Sequence, residues 1–154
     1  MAGTLNYLGM LIGTIGLFFG FLYHATYPDR ALEIVTVTTV GIVGMLAFIR
    51  HVVFHKSDAI RMGWETDRPD WMFEVGFANL AFGLTGLLAV FLDRQAQAVV
   101  LTGYALYLVQ AALLHGYRYF TAPEKSPGRL WRSCVATLLY AGMMIFFGYS
   151  ALLQ

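Results

Sequence analysis

The side chains best suited to chemistry interrupt the apolar stretches at one common depth. His51 and His55 close one such stretch, Glu74 opens the next and His115 closes the one after, with Arg50, Arg118 and Arg132 beside them. Polar groups at membrane depth are costly and usually have a partner or a task. Four tasks fit these residue types. Histidine and arginine at helix ends anchor to headgroups and offset the negative end of the helix dipole. The same cations suit an anionic amphiphile, a lipid headgroup or a quinone-like molecule. His51 and His55, four apart on a helix, can chelate one metal ion, which Glu74 and His115 would complete. A proton relay would run between Glu33 and the pair Glu74 and His51. However, Glu33 and His51 stand about 27 Å apart along a helix, with nothing acidic or basic between them on that span.

Other chemistries have no motif. The chain holds no phosphate-binding glycine loop, nucleophile elbow, HExxH or histidine-box set. A single cysteine, Cys134, excludes an intrachain disulfide and a cysteine metal cluster. A net charge of +1 gives no pull toward nucleic acid. No cofactor is specified by these residues.

The elements that must position the cluster follow from composition. Of 154 residues, 58% are hydrophobic and only 12% charged, half the charge a soluble domain carries. Apolar runs long enough to cross a bilayer lie at about 5–23, 33–54, 72–92, 98–117 and 130–153. The reading is therefore all-α: one domain, a polytopic bundle of five transmembrane helices. The first run lacks a basic n-region and a small-x-small cleavage site, so it is expected to remain as a span. Trp64 and Trp71, in the longest loop, suit the headgroup zone. Lysine and arginine set the orientation. Arg50, Lys56, Arg61, Arg68, Arg118, Lys125, Arg129 and Arg132 share one side, against Arg30 and Arg94 on the other. Eight against two places the N-terminus in the cytoplasm.

Glycine phasing shows where helices should meet. Gly9, Gly13, Gly16 and Gly20 occupy one narrow face of the first span, a stripe that lets another helix approach closely. The third span carries two small-residue stripes: Glu74, Ala78, Ala81 and Thr85, and roughly opposite them Gly76, Asn79, Gly83 and Gly86. Small residues on both sides predict that this helix is central. On the second span, Glu33, Val40, Gly44, Ala47, His51 and His55 fall near one line, so both histidines are expected to look into the bundle.

The stretches Arg50-His-Val-Val-Phe-His-Lys-Ser-Asp58, Gly63-Trp-Glu-Thr66 and Phe73-Glu-Val-Gly-Phe-Ala-Asn-Leu80 resemble a family of small, uncharacterised bacterial multi-span inner-membrane proteins. The resemblance implies a bacterial inner-membrane location and a signature that includes Glu74 and Asn79. Length and basic loops are also similar to the membrane glutathione transferase family. That family has four spans and a different arrangement of Arg, Asn and Glu.

The reading that joins these points is a binding or accessory membrane protein, self-associating or part of a larger membrane complex. Its ligand pocket, in the cytoplasmic leaflet, would be lined by His51, His55, Glu74, Asn79, His115 and Arg118 and hold a lipid or quinone-like molecule. The alternatives are a small membrane enzyme acting on a lipophilic substrate, metal-dependent or glutathione-transferase-like, and a transporter or proton-linked subunit. A topology reporter fused after Gln154 is expected to be active only outside the cytoplasm, and one inserted between His55 and Trp71 only inside; both on one side would overturn the five-span count.

Overall fold

The computed structural model describes residues 1–63, 68–122, 125 and 127–153, without the side chain of Arg129. Trp64 and Gln154 lie outside the described residues. Five helices are long and apolar enough to cross a membrane. They are α1 (Ala2–His24), α2 (Pro28–Val53), α4 (Asp70–Phe91), α5 (Arg94–Thr121) and α6 (Trp131–Leu152). A short helix, α3 (His55–Met62), separates α2 from α4, and a turn at Pro127–Leu130 leads into α6. No strand occurs among the described residues.

Local chemistry explains the boundaries. Pro28 opens α2 at its first turn, where a missing N–H costs nothing, and Asp29 follows on the positive end of the helix dipole. The α2 helix stops at Phe54, whose backbone leaves the helical region. Helix α3 ends on Gly63 in the left-handed conformation, the only positive φ among the described residues. Asp93 caps α5, its carboxylate accepting the Ala96 N–H at 2.8 Å.

The centre of the bundle is α2. It packs against α1 and α4 and also touches α5 and α6. In its most apolar stretch 44% of residues are buried, against 28% in each of the other four spans. Helix α4, expected at the centre, is peripheral. Its face with Gly76, Asn79, Gly83 and Gly86 is buried, while Glu74, Ala81 and Thr85 on the opposite face are exposed and Ala78 is half-buried. The reason lies in how closely each stripe lets another backbone come. A Cβ placed on Gly83 would stand 2.8 Å from the Met45 nitrogen, and one on Gly86 would stand 2.6 Å from the Gly41 nitrogen. Helices α2 and α4 therefore meet backbone to backbone. The contact of α4 with α5 is made instead through large side chains, with Phe82 packed on Tyr104 and Tyr107 at ring separations of 5.2 and 5.6 Å.

The glycine stripe of α1 is buried in the same chain. Gly16 faces Thr38 on α2, Gly13 faces Tyr140 on α6, and Gly20 faces Val35 and Phe147. The remaining spans close around α2, with α5 packed along α6 over Leu101, Tyr104, Ala105, Ala141 and Met144. Two stretches of α2, Thr36–Ile42 and Ile49–Val53, are π-helical, as is Trp131–Val135 at the start of α6. In the first of these, Thr38 and Thr39 each donate to the carbonyl four residues back, Ile34 and Val35, at 2.7 Å.

Gly83→Ala is expected to lower the thermal stability of the detergent-purified protein by about 1–3 kcal/mol, since the added methyl meets backbone that has nowhere to go. Gly142→Ala, where a Cβ meets nothing within 4 Å, is expected to melt at or above wild type. Equal melting of the two variants would contradict the close α2–α4 contact.

Candidate functional site: a buried carboxylate ringed by basic groups

The densest set of polar contacts lies where α2 hands over to α3. Asp58, on the first turns of α3, is completely buried. Arg61, three residues on, reaches its Oδ1 from both Nε and Nη2 at 2.8 Å. His51 Nδ1 stands 2.9 Å from Oδ2, and Arg50 Nε stands 3.4 Å from the same oxygen. The Arg50 guanidinium also donates to Asn6 Oδ1 of α1 at 2.5 Å and lies 3.1 Å from His51 Nε2. The Ala2 N–H donates to Ser57 Oγ at 3.3 Å, which ties the start of α1 to α3. The break at Phe54 is what allows this: it turns α3 back under the bundle, so a carboxylate eight residues after Arg50 comes to lie against it.

Electrostatics explain how a charged group survives there. Burial alone would push the Asp58 carboxyl up, but the close His51 ring and the Arg50 and Arg61 guanidiniums outweigh it and hold the group below the usual carboxylate range. Asp58 is therefore ionised at neutral pH. Arg50 and Arg61 together carry one positive charge more than Asp58 cancels, before any proton on His51 is counted.

Toward the middle of the bundle, Asn79 forms a second polar centre. It donates to the Tyr107 hydroxyl at 2.9 Å and to the Val75 carbonyl at 2.8 Å, and accepts from the Tyr104 hydroxyl at 2.9 Å. Helices α4 and α5 are thereby joined by side-chain hydrogen bonds inside the bundle.

The six residues expected to line one pocket are not brought together as a set. His51 and Asn79 are buried, in the two separate centres. His55 begins α3, beyond the break, and is turned against the Val52 carbonyl at 3.0 Å and the Phe73 ring. It therefore does not share a helical line with His51. Glu74, expected to line the pocket, is exposed and makes no hydrogen bond or ion pair among the described residues. The stripe that carries it was displaced outward because the glycine stripe took the contact with α2. His115 is half-buried and Arg118 is exposed, its guanidinium 5.9 Å from the Trp71 ring centroid. No group of three or more His, Cys, Asp or Glu side chains among the described residues is placed to hold a metal, so His51, His55, Glu74 and His115 do not form the tetrad considered above. A groove of about 320 Å³ between α4 and α5, lined by Ala81, Phe82, Thr85, Val99, Val100 and Gly103, belongs to the other half of the bundle.

Asp58, Arg61, Asn6, Tyr104 and Tyr107 are the participants that the sequence reading did not select. A signal existed. Asp58 is three residues before Arg61, a spacing that pairs opposite charges on one helix face.

A helical bundle of five apolar spans closed at one end by a buried ion cluster defines a multi-pass membrane protein. The model of a family of unknown function, DUF6790, matches residues 3–151, and the chain belongs to that family. No curated protein and no solved structure matches it.

Asp58→Ala is expected to cost about 3–5 kcal/mol of stability, because it leaves the Arg50 and Arg61 charges without their anion. The sign of the pH effect follows from the depressed carboxyl: its contribution is complete above the unfolded value of about 4 and is lost as pH falls below that. Melting curves from pH 7 to pH 3 should therefore converge for wild type and Asp58→Ala; parallel curves would refute the assignment.

Proposed function

We propose that this protein is a binding or accessory membrane protein whose basic end faces the cytoplasm and holds an anionic amphiphile against Arg50 and Arg61. One observation carries the reading: among the described residues, two arginines and a histidine converge on one carboxylate, Asp58. The positive charge left over among the described residues stands just beyond the end of the α2 span, where a bilayer would present phosphate. Arg61, with 30% of its side chain exposed, is the member that a headgroup can reach. A guanidinium offers several N–H donors in one plane, and only two of its nitrogens are engaged with Asp58, which leaves capacity for a phosphate or carboxylate oxygen. Charge favours such a ligand over a neutral quinone. The surplus of lysine and arginine at this end supports the cytoplasmic orientation and adds attraction to the anionic inner leaflet.

The test is native extraction in a lipid-retaining polymer followed by mass spectrometry of the bound lipids. Wild type should be enriched in anionic phospholipid over the surrounding membrane. Arg61→Gln should lose about tenfold of that enrichment, the equivalent of about 1.4 kcal/mol. Glu74→Gln, at an exposed position on α4, should retain it. A lipid profile unchanged in Arg61→Gln would overturn the reading.

A further inference from the structure

Polar side chains run through this bundle from one end to the other, and several are buried without a partner. At the basic end stand Asp58, His51 and Arg50. Further into the bundle stand the hydroxyls of Tyr104 and Tyr107. Those hydroxyls meet at Asn79, nine residues into α4, about 13 Å along its axis and close to mid-membrane. On α6 the Tyr140 hydroxyl, packed over Gly13, lies beside Thr39 without a hydrogen bond of good geometry. Nearer the opposite end, Thr36 on α2 and Thr102 on α5 each stand eight residues, about 12 Å, inside their helix starts. Gln97 follows, and the Arg94–Asp29 pair at 3.2 Å closes that end.

Packing alone accounts for part of this file. Asn79 with its two tyrosines is ordinary hydrogen-bonded contact between helices. It does not account for Thr36 Oγ1, Thr102 Oγ1, Tyr140 Oη and Gln97 Oε1, all buried with no hydrogen-bond partner among the described residues. A buried unsatisfied polar group costs about 1–3 kcal/mol. Thr38 and Thr39 escape that cost by bonding back to their own helix, and Thr36, just before them on that helix, does not. Such atoms, with Thr36 and Thr102 at one level, Gln97 nearer that end and Tyr140 deeper in the bundle, are what bridging waters would satisfy.

We propose that this file is a proton path across the membrane, with Asn79 and the buried tyrosine and threonine hydroxyls linked by water between the Asp58 end and the Asp29 end. Each hydroxyl or water passes a proton forward as it accepts one from behind. A proton entering at one end thus releases one at the other; the hydroxyls and waters then turn back to carry the next, and Asn79 holds the two tyrosine hydroxyls in place without itself giving up a proton. The path is independent of headgroup binding at Arg61, and the two are read out separately.

The experiment uses the purified full chain in vesicles loaded with a pH-sensitive dye, driven by a potassium diffusion potential with valinomycin. Wild type is expected to acidify or alkalinise the lumen, according to the sign of the potential, several-fold faster than protein-free vesicles. Tyr104→Phe should cut that flux about tenfold. Thr102→Val, which keeps the shape of the side chain, should do the same with an unchanged melt, so the test survives if Tyr104→Phe misfolds. Thr85→Val, an exposed hydroxyl of α4, should conduct like wild type. A wild-type flux equal to protein-free vesicles would overturn the proposal, as would Thr102→Val conducting undiminished.

Discussion

The approach of α4 to α2 at Gly41, Gly44, Gly83 and Gly86 is the contact on which the other arrangements depend. In lipid, no water is released when two apolar helices touch, so attraction has to come from close van der Waals contact and from polar bonds. Glycines facing glycines bring the two backbones nearer than any side chain would allow. Once that contact is made, the rotation of α4 is set. Asn79, in phase with Gly76, Gly83 and Gly86, is carried into the bundle, and Glu74 is carried out of it.

The polar groups then take the positions that this packing leaves. Asn79 meets Tyr104 and Tyr107, and their rings fill the space that glycine does not occupy between α4 and α5. Helix α1 closes on the other flank, where its own glycines admit Thr38 and Tyr140. The ion cluster follows a different logic. Arg50 and His51 reach the end of α2 with charge or ring nitrogens to satisfy, and α3 turns back to supply Asp58. Burying a carboxylate is tolerable there because basic groups surround it.

The five spans were legible because length and apolarity can be read along one dimension, and the structure has the same number of long apolar helices. The α1 glycines were legible as a packing face because their phase leaves one narrow stripe, and all four are buried. The polar sites were less so, for two physical reasons. Depth along a helix places Glu74, His55 and His115 at one level but says nothing about which face wins the neighbour; on α4 two stripes competed, and closeness of backbone approach decided. Asp58 was hidden because Lys56-Ser-Asp58 reads as a solvated loop. Only the break at Phe54, which no strong breaker residue announces, converts that stretch into a helix lying under the bundle.

The placement of Asp58 also bears on how the chain is made. Arg50, His51, Asp58 and Arg61 fall within about a dozen consecutive residues, so closing the ring requires only a short loop, with little entropy to lose. The two basic groups at the end of α2 acquire their counter-charge almost as soon as they emerge from the ribosome, before any of α4 has been synthesised. An insertion intermediate holding α1, α2 and α3 thus already contains every member of the ion cluster, and Asn6 on α1 is at hand to take a guanidinium donor of Arg50. The centre at Asn79 has no such advantage: its partners arrive with α5, so α4 enters the bilayer with an amide that waits for them. Chain order thus lets the charged end close before the Asn79 centre can.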